Sequence, residues 1–400
     1  MSPKVGCSYS NNTNSKDAGV EVAKKAMLNT GIKKADLVFL FFTTKHDPLL
    51  LKEGVREVVG KDVKIVGGNA IGVITKENLS YLGSEVGIAI FDLNGANVDC
   101  FMEPNIDINE FDAGFKLGKK IADAKISDAS ILMMYDSIKK AGSALNMATP
   151  MLAGMEKAMG KLPAFAGLGM LGDLQFNLTA SIFEDKIEKQ SSIAVVFSGG
   201  IKMDTMIIHG CKPSGRYHTI TKTDGPVVLE IDGKRALDVI AELLGPNSGK
   251  SWKDFPLFVI LGVNKGDKFG EFNDEEYANR LCMAIDEPRG GLVMFEPDLV
   301  AGMEIQLMRR VVDKDYMQSA IDKMMSRMKD RKPFFSFYID CAGRAMPLSG
   351  VDFEEGIEIQ KWVGQKMPFL GVYSGVEIAK VAGQVQALDW TGVLCVFSVE

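Results

Sequence analysis

Histidine is scarce, at 3 in 400 residues, and cysteine is little commoner, at 6. Cys7, Cys100, Cys211, Cys282, Cys341 and Cys395 lie far apart and form no Cys-x-x-Cys pair. That excludes a disulfide framework and a zinc site built on paired thiolates. Several of the six fall in apolar runs and read as reduced, buried thiols. No stretch reaches the roughly 18 apolar residues that a helical membrane span needs. The longest apolar runs, 37–42 and 256–263, are of strand length. Positive charge is also short: 46 Lys and Arg against 52 Asp and Glu leave a net charge of −6. This argues against nucleic acid or an anionic membrane as the main partner. No apolar signal core follows Met1-Ser2-Pro3-Lys4, so a cytoplasmic location is expected.

Hydrophobic residues make up 46% and charged residues 24%, a balance that lets every part be globular. A chain of 400 residues exceeds one ordinary core, so two domains or three are expected. The segment 14–31 reads as a helix: Asn14 or Ser15 caps it, Val22 and Ala26 share a face, and Gly31 ends it. Leu37-Val38-Phe39-Leu40-Phe41-Phe42 then reads as a strand apolar on both faces, covered on both sides.

A pattern recurs from there. Strand 37–44, helix 47–59, a glycine-rich strand end at Gly67-Gly68-Asn69 and strand 86–93 form one round. Strand 131–136, helix 143–159, the end Gly167-Leu168-Gly169 and strand 193–198 form a second. A fainter third runs through 334–341, helix 353–363, Gly371-Val372-Tyr373-Ser374 and 393–399. The expected fold is therefore α/β, with two domains built from strand-helix-strand units, mostly buried sheets and internal repeats. The turn formers within 212–233 place a boundary there, giving domains 1–225 and 226–400; 245–255 is a second loop-rich stretch.

Several segments resemble the FIST family. The opening Val5-Gly6-Cys7-Ser8-Tyr9-Ser10 and the segment 162–173 are similar to its N-terminal domain, although Leu168 interrupts the paired glycines usual there. Glu230-Ile231-Asp232-Gly233 is similar to the junction opening its C-terminal domain. Cys341-Ala342-Gly343-Arg344 resembles the Cys-x-Gly-Arg signature of that domain. Gly371-Val372-Tyr373-Ser374-Gly375-Val376-Glu377-Ile378 resembles its Gly-Phe-Tyr…Gly-Glu-Ile signature, with Val376 inserted. The resemblance implies a sensory role: FIST domains accompany histidine kinases and other signalling outputs, and amino acids and their derivatives are proposed ligands. Some members are described as haem-dependent nitric oxide sensors. With no room left for an output domain, this chain is expected to signal through a separate partner, such as a histidine kinase.

Arg344, just beyond a strand, can fork onto a carboxylate; its plainer role is a surface arginine or an internal ion pair. Cys341 could be a reactive thiol if a positive charge lowers its pKa, or a small buried residue. Tyr373, Ser374 and Glu377 could supply hydroxyls and a carboxylate to a ligand amine, which with Arg344 would suit an amino acid. Gly67, Gly68, Asn69, Gly167 and Gly169 end strands where ligands approach open α/β sheets, or serve only turns and close packing. Gly167-x-Gly169-x-x-Gly172 matches GxGxxG, but no amphipathic helix follows, so a dinucleotide site is discounted. Asp173 and His46 also stand at strand ends. Asp136 and Asp173 would suit acid–base chemistry, yet no nucleophile or metal motif accompanies them. His209 or His218 could be an axial haem ligand, a role weighed below the ordinary one of a satisfied polar residue. The expectation is a non-catalytic receptor for a small ligand held in a cleft between two domains, with no cofactor. A haem gas sensor and an enzyme on the same scaffold are the alternatives.

Overall fold

A strand as apolar as Leu37–Phe42 must be covered on both faces, and the central strands Ser130–Asp136 and, beyond Pro333, Lys332–Cys341 are buried in the same way. The computed structural model describes residues 2–245, 256–311 and 313–400. Three six-stranded sheets share one strand order. Sheet I runs Lys4–Ser10, Val86–Asp92, Leu37–Phe42, Lys64–Asn69, Ser181–Phe183, Lys186–Glu188. Sheet II runs Asn97–Pro104, Ser191–Ser198, Ser130–Asp136, Ala164–Met170, Val376–Val381, Gln384–Leu388. Sheet III runs Lys202–Ile208, Gly392–Val399, Lys332–Cys341, Phe369–Ser374, Gly72–Thr75, Leu79–Tyr81. In each, the third and fourth strands are parallel and the other neighbours antiparallel.

The three rounds read in the sequence are these three units. The last two strands of each sheet are a hairpin that comes from a different unit. The first unit lends its hairpin to sheet III, the second to sheet I and the third to sheet II, closing a ring of exchanges. Each lent hairpin covers what would otherwise be an open strand edge.

The inner faces of the sheets meet in one core rich in phenylalanine. Phe39 and Phe91 of sheet I lie 5.0 Å apart, Phe91 meets Phe335 of sheet III at 4.9 Å, and Phe197 of sheet II meets Phe397 at 4.9 Å. All are fully buried, so the axis between the sheets is filled. The outer faces are covered by helix pairs: Ser15–Thr30 with Pro48–Val59, Glu110–Asp123 with Ala148–Met159, and Lys314–Arg327 with Glu355–Val363.

Local signals set the helix ends. Asn14 accepts the Asp17 N–H and Gly31 turns left-handed at φ 65°, as expected. Asp47 caps the second helix through the N–H groups of Leu49 and Leu50. The helix expected over 143–159 begins at Ala148, because Ala144–Leu145 pairs as a strand and Pro150 sits in the first turn. Asp313 caps helix Lys314–Arg327 through the N–H groups of Asp315 and Tyr316, and Lys332 opens the next strand.

Between sheet III's first strand and helix Lys314–Arg327 the chain builds a separate β-structure. Its strands run Cys211–Asp224, Glu304–Arg310, Ile260–Asn264, Tyr277–Asp286, Gly291–Met294, Val227–Ile231, and Cys211–Asp224 pairs again with Val227–Ile231, closing a six-stranded barrel. The boundary expected at 225/226 falls in the turn of that hairpin, where Asp224 pairs with Val227. Sheets I, II and III hold the flanking segments together, since II and III contain strands from both sides of it. The stretch expected to be loop-rich at 245–255 lies, beyond Gly245, outside the described residues.

Two helix crossings are tight enough to require glycine. A Cβ on Gly19 would stand 2.2 Å from the Leu51 carbonyl oxygen, and one on Gly114 would stand 1.9 Å from that of Met151. Gly114→Ala should therefore force helices 110–123 and 148–159 apart and destabilise the protein by about 1–3 kcal/mol, the usual cost of overpacking. Urea denaturation measures this, and an unchanged midpoint would contradict the close crossing.

Candidate ligand site

Strand Lys332–Cys341 ends in a buried carboxylate, Asp340, and the chain turns at once through the short helical turn Ala342–Arg344. That turn folds Arg344 back on the strand end. Its Nε donates to Asp340 Oδ1 at 2.7 Å, its Nη1 donates to the His209 carbonyl at 3.1 Å, and its Nη2 lies 3.2 Å from Glu355 Oε2. Glu355 also holds Arg310, at the end of barrel strand Glu304–Arg310. Neighbouring Glu354 accepts from the Tyr373 hydroxyl at 2.6 Å and the Met346 N–H at 2.9 Å. The Ser374 hydroxyl lies 2.8 Å from Glu377 Oε1, whose other oxygen accepts from the Thr391 N–H at 3.4 Å.

Five of the expected site residues, Cys341, Arg344, Tyr373, Ser374 and Glu377, are thus brought together at one end of sheet III. They do not line an open cleft. Arg344, Tyr373, Ser374 and Glu377 are 0% exposed, because the internal carboxylates that neutralise the guanidinium and the segment after it close over the group. Burial opposes the Arg344 charge, but Glu355 and Asp340 beside it raise its pKa well above the ordinary value. Burial pushes the Cys341 thiol well up, the opposite of what a reactive thiolate needs. Burial likewise raises Glu377 far above a normal carboxyl, against the pull of the Ser374 hydroxyl.

The other expected residues sit elsewhere. Gly67 and Gly68 serve close packing: a Cβ would stand 2.0 Å from the Leu40 carbonyl oxygen in the first case and 2.5 Å from Met170 Sδ in the second. Gly167 and Gly169 likewise face Met133 and Tyr135 across sheet II. Asn69 is a clamp for the lent hairpin, donating to the Phe42 carbonyl at 3.3 Å and accepting the Ala180 N–H at 2.7 Å. Asp173 caps a half-exposed turn through the N–H groups of Gln175 and Asn177. His46 is buried between Ser15 Oγ and the Ser84 carbonyl oxygen. Asp136 accepts from Thr179, Ser181 and Ser191, tying the second lent hairpin to sheet II rather than pairing with Asp173.

Sequence reasoning missed Asp340, Glu354, Glu355 and Arg310. Asp340 alone left a local signal, four residues before Arg344; the others arrive by tertiary folding.

The histidines do not fit a haem. His209 is fully enclosed, with Nδ1 accepting the Cys211 N–H at 2.9 Å and Nε2 lying 3.2 Å from Asp274 Oδ1. His218 Nδ1 pairs with Asp232 at 2.8 Å. Among the described residues no group of three or more His, Cys, Asp and Glu side chains could hold a metal ion. No described helix is long and apolar enough to cross a membrane.

Residues 36–234 match the FIST N domain and residues 236–380 the FIST C domain. The chain belongs to the FIST family. FIST domains are sensory modules that bind small ligands and are linked to signalling proteins. Over 194 residues the chain is 23% identical to an uncharacterised protein of Methanocaldococcus jannaschii, covering 46% of this chain and 37% of that protein. It is 21% identical over 219 residues to an uncharacterised protein of Mycobacterium tuberculosis, covering 54% and 56%. The matches thus span about half, or less, of these relatives. A crystal structure of cyanuric acid hydrolase from A. caulinodans aligns over 100% of this chain and 99% of its own, with 9% identity and a TM-score of 0.34. A likeness that remote says nothing of activity.

The Arg344 cluster draws residues from both family matches. Arg344, Glu354 and Glu355 lie in the C domain match, while His209 and Tyr81, whose hydroxyl lies 3.4 Å from Glu354 Oε2, lie in the N domain match.

Burial pushes the carboxyls of Asp136, Asp274, Asp340 and Asp389 up to about 6 and that of Glu296 up to about 7. Each binds its proton more tightly folded than unfolded, so each contributes stability at low pH that is lost as pH rises through 6 to 7. His209, lowered to about 3 by burial and by the Arg344 charge, acts the opposite way below its unfolded value of 6.5. Five carboxyls against one imidazole predict a higher urea midpoint at pH 5.5 than at pH 7.5. A midpoint that instead falls on acidification over this range would mean these carboxyls are ionised in the fold.

Proposed function

We propose that this FIST protein is a non-catalytic sensor of an amino acid or a related small carboxylate, bound between its two halves and reported to a separate signalling protein. The observation that carries the reading is the enclosed charge cluster at Arg344, which touches both halves. A guanidinium that already grips two carboxylates is chemically suited to a third. On this reading Asp340 and Glu355 hold the fork while no ligand is bound, and a ligand carboxylate takes the place of Glu355. Glu377 and the hydroxyls of Tyr373 and Ser374 then face the ligand amine. The burial of Cys341, which raises its thiol pKa, supports a receptor rather than a thiol enzyme.

The test is a thermal-shift screen of the amino acids and short carboxylates, followed by calorimetry on any that stabilise the protein. Arg344→Lys keeps the charge but loses the fork, and should weaken binding at least tenfold while circular dichroism shows a folded chain. Glu355→Gln removes the competing charge and should tighten binding. Unchanged affinity in Arg344→Lys would place the ligand elsewhere.

A further inference from the structure

Arg344 has no exposed surface, so a molecule reaches it only when part of its surroundings moves. Those surroundings are not equally fixed. Asp340 lies in a strand paired on both sides within sheet III, and Glu355 opens a helix that packs on that sheet. The segment 345–354 is different. It leaves the chain directly after Arg344 and returns directly before Glu355. None of its residues pairs in a sheet. It contains one short helical turn, Met346–Ser349, whose backbone bonds are local: the N–H groups of Leu348 and Ser349 both donate to the Ala345 carbonyl. Compact loops with closed ends open locally far more easily than strands in a ladder.

The two ends of the segment are anchored and its middle is not. Ala345 is buried in the core between sheet III and its helices, and Phe353 packs partly against the same core. Between them Met346, Pro347 and Gly350 are exposed, and Gly350 turns the chain at φ 72°. Two polar contacts hold this middle down. The Met346 N–H donates to Glu354 Oε2 at 2.9 Å, and that carboxylate is itself fixed by the hydroxyls of Tyr373 at 2.6 Å and Tyr81 at 3.4 Å. On the other side Arg310 Nη1 donates to the Ser349 carbonyl at 3.2 Å, while its Nη2 pairs with Glu355.

We propose that residues 346–352 are a gate over Arg344, pivoting on Ala345 and Phe353 and latched by Glu354 and Arg310. The inference rests on the reading that the ligand is received at Arg344, and it adds the route by which an enclosed guanidinium is reached. Tyr81 acts through Glu354 as a positioning residue. Arg310 holds the gate with one nitrogen and Glu355 with the other, so a ligand carboxylate that gives Glu355 wholly to Arg310 draws on the guanidinium that keeps the gate shut.

The probe is phenylglyoxal, which condenses with accessible guanidinium groups, applied to the folded full chain with adducts located by peptide mass spectrometry. Arg216, on the surface, is the exposed standard, and Arg280, 1% exposed and paired with Asp298, is the enclosed control away from the gate. In the natural sequence Arg344 should react about a hundredfold more slowly than Arg216. Tyr81→Phe should raise the Arg344 rate about threefold and Glu354→Ala about tenfold, as latch hydrogen bonds are lost, with Arg280 unchanged. An Arg344 rate that stays the same in both variants, or that rises only in step with Arg280, as in global unfolding, would overturn the gate. The measurement needs no ligand. A screen that finds no ligand therefore removes the proposed function alone, and a fixed Arg344 rate removes the gate alone.

Discussion

Everything else in this molecule is arranged around the place where three sheets turn their phenylalanines on one another. Phe39, Phe91, Phe197, Phe335 and Phe397 form a continuous set of ring contacts at 4.9 to 6.3 Å that no single unit could make alone. Each ring contact adds about 0.5–1.5 kcal/mol beyond the area it buries. The cluster therefore holds the units together and forbids a channel along their axis. Ligands can be accommodated only away from it, at strand ends or between layers. The lent hairpins follow from the same constraint: a sheet whose inner face is fixed to its neighbours still has a free outer edge, and the next unit supplies its cover.

Much of this was legible in the sequence because it is local. The cap at Asn14, the stop at Gly31 and the unbroken apolar run 37–42 each act within a few residues. The three rounds were visible because each repeats strand, helix and glycine-rich strand end. The exchange of hairpins was not, since strands as short as Gly72–Thr75 and Ser181–Phe183 carry no periodicity of their own and are defined by partners far along the chain. The barrel was hidden for the same reason: one of its pairings joins Cys211–Asp224 to Glu304–Arg310, about ninety residues apart by their numbers. Of the site, Arg344 and Glu377 were found, but not that they are buried. Exposure is decided by what folds over a residue, and Glu355 and His209 reach Arg344 only in three dimensions.

An arginine with no exposed surface is a strong constraint in its own right. Removing one partner of a buried ion pair costs about 3–5 kcal/mol, because the remaining charge is left without compensation. Asp340 and Glu355 therefore cannot be exchanged freely for apolar residues while Arg344 stays. The converse holds at Glu377, whose oxygens meet the Ser374 hydroxyl and the Thr391 N–H, and where burial raises the carboxyl far above its ordinary range.

Glu355 gives the cluster a way to act on the rest of the molecule. It is shared between Arg344, at the end of sheet III, and Arg310, at the end of a barrel strand. Arg310 in turn lies 5.3 Å from the Trp390 ring. A carboxylate can satisfy both arginines only while the barrel and sheet III keep their present distance. If a ligand carboxylate takes Glu355's place on Arg344, as proposed, Glu355, on the helix that covers sheet III, is left to Arg310 alone. The free energy available for that shift is the difference between the ligand's affinity for the two arrangements, and no more. A sensor built this way needs no hinge of its own, because exchanging one carboxylate for another gives Glu355 wholly to Arg310 and so changes the contact between the barrel and the helix over sheet III.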